Sequence, residues 1–217
     1  MSRNYAAVIF DLDGLLIDTE SVSVEVGIAT LAEFGHRVER DFMLSMIGMD
    51  ETECVAIMRA HLGAGLDFAA FDARWRETCR ARHAKGIKQK HGADSLLRGL
   101  AAAAIPRAVA TNSRAEAGQR KLGQSGLRHH FDHVVGFDLV AAPKPAPDVY
   151  LMAADLLAVD PADCLAFEDS DPGVAAALAA GMTVVQVPDL IPSRTKRAHF
   201  TADTLSDGAD LAGLFST

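Results

Sequence analysis

The chain has 217 residues, 49% hydrophobic and 23% charged, with a formal net charge of −8. This composition can bury one large core plus a modest insertion, and its lack of any dense basic run argues against nucleic-acid binding. Three scattered cysteines, Cys54, Cys79 and Cys164, do not make a disulfide framework or a Cys-based zinc site, and they fit a reducing cytoplasm.

Residues 5–10, Tyr-Ala-Ala-Val-Ile-Phe, are an apolar run of strand formers ending at Asp11-Leu-Asp13-Gly14. A continuous apolar strand predicts burial on both faces, as in a parallel sheet. The run is too short for a signal peptide and meets an acidic residue too early. No stretch reaches the roughly 18 apolar residues that span a membrane. From about Thr19 to Ala84 the apolar residues recur at helical spacing: Val24, Ile28, Leu31 and Phe34, then Phe42 and Met46, then Val55, Met58 and Leu62, then Phe68, Phe71 and Trp75. This predicts three or four helices and no strand, with glycines as punctuation.

Beyond Lys85 the rhythm alternates. Helices are predicted near 94–103, 114–123, 147–157 and 172–180, and strands near 107–111, 132–136, 163–167 and 183–187. Pro147 suits a first helical turn and Gly181 a helix stop. The pattern is α/β, a doubly wound, mostly parallel Rossmann-like sheet with an all-α insertion after its first strand. The boundaries are read as residues 1–17 and 88–217 for the catalytic core and 18–87 for a helical cap.

Ligands of open α/β sheets sit beyond the carboxyl ends of the strands. Those places hold Asp11 and Asp13, then Thr111, Asn112 and Ser113, then Lys144, then Glu168 and Asp169. Singly, each has a plain structural reading: an Asx turn, a helix N-cap or a solvated lysine. Together they suit phosphoryl transfer. Clustered Asp11, Asp13 and Asp169 would repel one another without a cation, and oxygen donors favour Mg²⁺. Asp11 would attack phosphorus, and Asp13 would protonate the leaving alcohol and later deprotonate water. The Thr111 hydroxyl, backbone N–H groups and Lys144 would hold phosphate oxygens.

The segments Phe-Asp11-Leu-Asp13-Gly-Leu-Leu-Ile-Asp18-Thr19-Glu20, Ala-Val-Ala-Thr111-Asn-Ser, Pro-Lys144-Pro-Ala-Pro-Asp148 and Phe-Glu168-Asp169-Ser170-Asp-Pro-Gly173 resemble the motifs of the haloacid dehalogenase superfamily, in its phosphatase and β-phosphoglucomutase-like branch. The order is the family's, and the likeness spans nearly the whole chain. The resemblance implies a helical cap on a Rossmann-like core, with Asp11 as nucleophile and metal ligand and Asp13 as acid/base with its carbonyl on Mg²⁺. It further implies Asp169 as metal carboxylate, Glu168 in or near the layer behind the ligands, Thr111 and Lys144 on phosphate, and the Asn112 backbone N–H as an added phosphate contact. Ile47, Gly48 and Met49 fall in the presumed substrate loop. If the cap closes as a lid, hinges are expected near Ile17–Thr19 and Lys85–Lys90.

Within that branch Asp13 speaks against dehalogenation. The absence of any lysine before Lys85 closes the Schiff-base route of the phosphonate-cleaving enzyme. A mutase must grip a second phosphate, and Ser23, Ile47 and Glu51 stand at the matching cap positions, where an apolar and an acidic side chain would not do so. Hydrolysis of a small phosphate ester, sugar phosphates foremost, is therefore expected. The mutase is the alternative, and a phospho-aspartate receiver module is the alternative of another class. Nothing requires more than a monomer. The His129-His130 pair is read as surface or loop, and Arg194, Lys196 and Arg197 as a solvated face.

Overall fold

The central strands form because their apolar runs are buried on both sides. A computed structural model describes residues 5–47, 49, 51–63 and 65–215, with the side chain of Glu51 left aside. Its sheet contains β1 (Ala7–Phe10), β2 (Arg107–Thr111), β3 (His133–Gly136), β4 (Cys164–Glu168), β5 (Thr183–Gln186) and β6 (Phe200–Thr201). All neighbours pair in parallel, in the order β3-β2-β1-β4-β5-β6.

Alternate residues of each strand feed two cores, as the period of two requires. Val8, Phe10, Val109, Leu165, Phe167 and Val185 enter one. Ala7, Ile9, Ala108, Ala110, Ala166 and Val184 enter the other. The first core is covered by α5 (Ala93–Ala102), α6 (Ala115–Ser125) and α9 (Leu205–Leu211), and the second by α7 (Asp148–Leu156) and α8 (Asp171–Ala179). Helix α5 shows how this follows from spacing: Ala93, Leu96, Leu97 and Leu100 are its buried residues, one stripe of a 3.6-residue period. Phe10 and Phe167 stack across β1 and β4 with ring centroids 5.2 Å apart, and Phe131 meets Phe10 edge-on at 6.1 Å. Each fully buried aromatic of this kind stabilises the fold by about 1.5–3 kcal/mol through removal of apolar area from water.

Two compact units partition the chain, Met1–Asp18 with Ile87–Thr217, and Thr19–Gly86. The first holds the sheet. The second is helical: α1 (Glu20–Glu33), α2 (Arg40–Leu44), α3 (Glu51–Leu62) and α4 (Phe68–His83). Its interior contains Val24, Leu31, Met43, Met58 and Phe71. Gly27 lets helices approach closely, because a Cβ there would collide with Met43 and come within 3.3 Å of the Trp75 ring. The Trp75 indole N–H donates to the Ser23 carbonyl at 2.9 Å, and Asp67 caps α4 by accepting from Ala70 N–H at 3.0 Å.

Among the strands and α-helices, β6 and α9 escape the sequence reading. A two-residue strand carries no periodicity to detect, and α9 is a seven-residue helix. Thr204 nevertheless supplies its N-cap, accepting from Asp207 N–H at 3.1 Å. His130, expected at the surface or in a loop, lies in the connection between α6 and β3 but is buried, 7% exposed, with Nε2 3.2 Å from Asp94 Oδ1. Burial, opposed by the Asp94 hydrogen bond, holds its pKa below the usual value. No helix among the described residues is long and apolar enough to cross a membrane.

Candidate active site

The chain runs from β1 to β2 and β3 on one side, then returns to place β4 on the other side of β1. The crevice between the ends of β1 and β4 is therefore the switch point where such sheets bind ligands. Asp11 follows β1, and Asp169 follows β4. The ladder continues one residue past β1, with Asp11 N–H donating to Phe167 O at 3.0 Å. Asp11 thus starts from a rigid strand end.

Lys144 unites the loop segments. It is buried, and its Nζ donates to Asp11 Oδ1 at 2.6 Å, to Glu168 Oε1 at 2.5 Å and to Tyr150 Oη at 3.4 Å. The Tyr150 hydroxyl in turn donates to Glu168 Oε1 at 2.6 Å. Glu168 Oε2 accepts from Asp169 N–H at 3.2 Å and from Ser170 Oγ at 3.2 Å. Both oxygens of Glu168 are thus occupied by the protein. Gly173, at the start of α8, makes room for this carboxylate, since a Cβ there would overlap it.

Burial pushes the Asp11 carboxyl up to about 7, against the pull of Lys144 and with Glu168 and Asp13 adding to the rise. Burial pulls Lys144 down, but Asp11 and Glu168 outweigh it, so the ammonium is retained. Tyr150 is raised well above its usual value by burial and by Glu168, and it stays a neutral donor.

Asp13 lies two residues on, with its side chain 19% exposed. Lys121 Nζ, from α6, donates to its two oxygens at 2.7 and 2.8 Å, and Ser113 Oγ donates to Oδ2 at 2.8 Å. Lys121 also reaches Ser113 Oγ at 2.9 Å, which closes a triangle.

Thr111 is buried, and its Oγ1 accepts from Ser113 N–H at 3.0 Å, leaving its own proton to donate. The Asn112 side chain is committed elsewhere: Oδ1 accepts from Lys144 N–H at 2.9 Å, and Nδ2 donates to Lys144 O at 3.2 Å. Asn112 therefore fastens the Lys144 loop to the end of β2, a role the sequence does not suggest. Helix α6 opens beside it, with Ala115 N–H donating to Asp138 Oδ1 at 2.8 Å.

One oxygen each from Asp11, Glu168 and Asp169 lie within 4.8 Å of one another. Three carboxylates against one ammonium leave a deficit of positive charge, and an all-oxygen set fits Mg²⁺. Since Glu168 is held by Lys144, Tyr150 and Ser170, Asp11 and Asp169 are the carboxylates of this cluster that would face a cation.

The structure brings Asp11, Asp13, Thr111, Lys144, Glu168 and Asp169 to one end of the sheet. Ile47 ends the turn that follows α2, and both Ile47 and Met49 are half-buried. Gly48 lies outside the described residues. Sequence reasoning missed Lys121 and Tyr150. Lys121 stands beside the buried stripe of α6, which includes Gly118, Leu122 and Ser125, and a lysine there is a detectable signal. Tyr150 reads as an ordinary helix residue.

Residues 8–187 match the profile of the family described as haloacid dehalogenase-like hydrolase. The chain is 33% identical over 196 residues to the fructose-1-phosphate phosphatase YqaB of Escherichia coli, covering 86% of this chain and 98% of that one. It is 35% identical over 191 residues to the bifunctional riboflavin kinase/FMN phosphatase of Arabidopsis thaliana, covering 88% of this chain but spanning only 50% of that longer protein. Among solved structures, a HAD family hydrolase from Deinococcus radiodurans with bound phosphate and sodium superposes with TM-score 0.84 at 29% identity, covering 99% of each chain.

Proposed function

The chain belongs to the haloacid dehalogenase-like hydrolase family, and from that premise we propose that it is a Mg²⁺-dependent phosphatase of small phosphate monoesters, sugar phosphates foremost. The observation that carries this is the buried Asp11–Lys144–Glu168 group beside Asp169 at the switch point. It offers an oriented carboxylate nucleophile next to a cation-deficient oxygen cluster.

Bound between Asp11, the Asp13 carbonyl and Asp169, Mg²⁺ would neutralise phosphate charge and so let an anion approach an anion. Lys144 holds Asp11 Oδ1, which leaves Oδ2 to attack. The Oδ2–P bond forms as the ester P–O bond breaks, and Asp13 gives its proton to the departing alkoxide oxygen. In the second half Asp13 takes a proton from water. That water attacks phosphorus, and the acyl phosphate opens to restore the Asp11 carboxylate and release phosphate. The Thr111 hydroxyl, the Asn112 backbone N–H and the Lys144 ammonium serve as donors to the phosphoryl oxygens. Ser113 and Lys121 aim the Asp13 carboxyl. Glu168 and Tyr150 fix Lys144. Ile47, Gly48 and Met49 are assigned to substrate selection. The cysteines are free thiols, which supports a cytoplasmic setting, and a monomer suffices for this chemistry.

The test is phosphate release from a panel headed by fructose 1-phosphate, with Mg²⁺ or with chelator, beside Asp11→Asn. Metal-dependent release that disappears in the variant is expected. No release, with turnover of a β-sugar 1-phosphate once a bisphosphate primer is added, would replace hydrolysis by the mutase reaction. A stable phosphoprotein that releases nothing would point to the receiver reading.

A further inference from the structure

Asp189 is a buried carboxylate that the reaction above does not use. It lies in the loop after β5, with its side chain 7% exposed. Lys90 Nζ donates to Oδ1, while Oδ2 is sealed from solvent and has no hydrogen-bond partner. A buried carboxylate oxygen with nothing to accept is costly. A mere partner for Lys90 would need one oxygen and could leave the other in water.

Gly14 locates what Oδ2 faces. Its φ of +83° belongs to the left-handed region that glycine adopts freely, and the space above its Cα is shared by two carboxylates. A Cβ there would collide with Asp169 Oδ2 and come within 3.4 Å of Asp189 Oδ2. The orphan oxygen therefore lies beside the Asp169 carboxylate, with Gly14 between them. The surrounding backbone holds this in place. Gly14 N–H donates to Ile17 O at 3.0 Å, and Lys90 N–H donates to Leu16 O at 2.9 Å, so the loop carrying Asp13 and the residue pairing Asp189 are fastened together.

Two carboxylates packed against one glycine repel, and a nearby cation relieves that repulsion. Mg²⁺ keeps several waters when bound, and the hydrogens of those waters need acceptors that protein carboxylates commonly supply. We infer that Asp189 is an additional carboxylate of the cation site, acting through a water of the cation's shell rather than by direct ligation, with Lys90 neutralising its other oxygen. This rests on the phosphatase reading above, since it presumes that reading's cation.

The experiment is Mg²⁺ binding to the full chain by titration calorimetry, for wild type, Asp189→Asn and Lys90→Met. Asp189→Asn is expected to weaken binding about tenfold, the usual effect of removing a carboxylate behind a metal's own ligands. Lys90→Met breaks the same ion pair but keeps the carboxylate and removes a neighbouring positive charge, so its affinity should match wild type or exceed it. Asp189→Asn within twofold of wild type overturns the inference, as does a Lys90→Met loss equal to that of Asp189→Asn. Should Asp189→Asn fail to fold, a crystal of wild type grown with Mg²⁺ decides: a water of the ion's shell within about 3.2 Å of Asp189 Oδ2 is expected, and its absence overturns the inference. Wild type that binds no Mg²⁺ sinks the phosphatase reading and this inference together, whereas tight wild-type binding with an unchanged Asp189→Asn sinks this inference alone.

Discussion

Replacing Lys144 by Met removes an ammonium that contacts both Asp11 and Glu168, at 2.6 and 2.5 Å. Its own side chain is 3% exposed, and those of its partners are 9% and 0%. Breaking a buried pair from one side typically costs about 3–5 kcal/mol, because the charge left behind is neither solvated nor paired. Two carboxylates depend on this lysine, so the upper half of that range applies. For a chain of this length, each kcal/mol is worth about 2–4 °C of melting temperature, which gives a fall of roughly 10–20 °C in metal-free protein at pH 8. The loss must depend on pH. Burial already raises Asp11 from 3.8 to about 7, and Lys144 opposes that rise, so the variant's Asp11 is raised further. At pH 5 the variant can hold a proton on Asp11 and shed the uncompensated charge, and the loss should shrink by at least half. The same raised value makes metal-free wild type lose stability as pH rises through the window from about 4 to 7, a slope that Asp11→Asn should flatten. Urea denaturation in chelator at pH 5 and pH 8 reads all three. A Lys144→Met loss below about 1 kcal/mol at pH 8, or one equal at both pH values, would refute the reasoning from buried charge.

Lys121→Met should lower kcat about 10–100-fold with little change in KM, since the residue aims Asp13 rather than binding substrate, and Lys121→Arg should restore part of the loss; a pure KM effect would place Lys121 on the substrate instead. Asp171 accepts from Gln186 Nε2, Ser193 Oγ and the N–H groups of Arg194 and Thr195 at 2.7–3.1 Å, and although burial alone would raise its pKa these bonds lower it to about 2. It therefore contributes stability above about pH 4 that is lost as pH falls towards 2, on the order of 1 kcal/mol after allowance for solvent screening, and Asp171→Asn should remove that part of the acid transition while leaving the slope above pH 5 unchanged.

The layered α/β plan, the helical insertion after the first strand and the polar residues at successive strand ends are legible in the amino-acid order alone. These are properties of local pattern. Val8-Ile9-Phe10 is apolar without alternation because both faces of its strand are covered, and Ala93, Leu96, Leu97 and Leu100 mark a helix stripe because the period is 3.6. The position of Asp11 at the end of the first strand follows from the same pattern. Which side chains share a charge is settled by folding instead. Asp11 and Lys144 are 133 residues apart in sequence and 2.6 Å apart in space, and Lys121 meets Asp13 across 108 residues. No local periodicity encodes such pairs, because they depend on how separate strand ends converge at the switch point. The same holds for Asn112, whose side-chain amide carries no signal in the sequence yet ties down the Lys144 loop. It holds also for Asp189, an unremarked loop residue until folding seals one of its oxygens against Gly14 and Asp169.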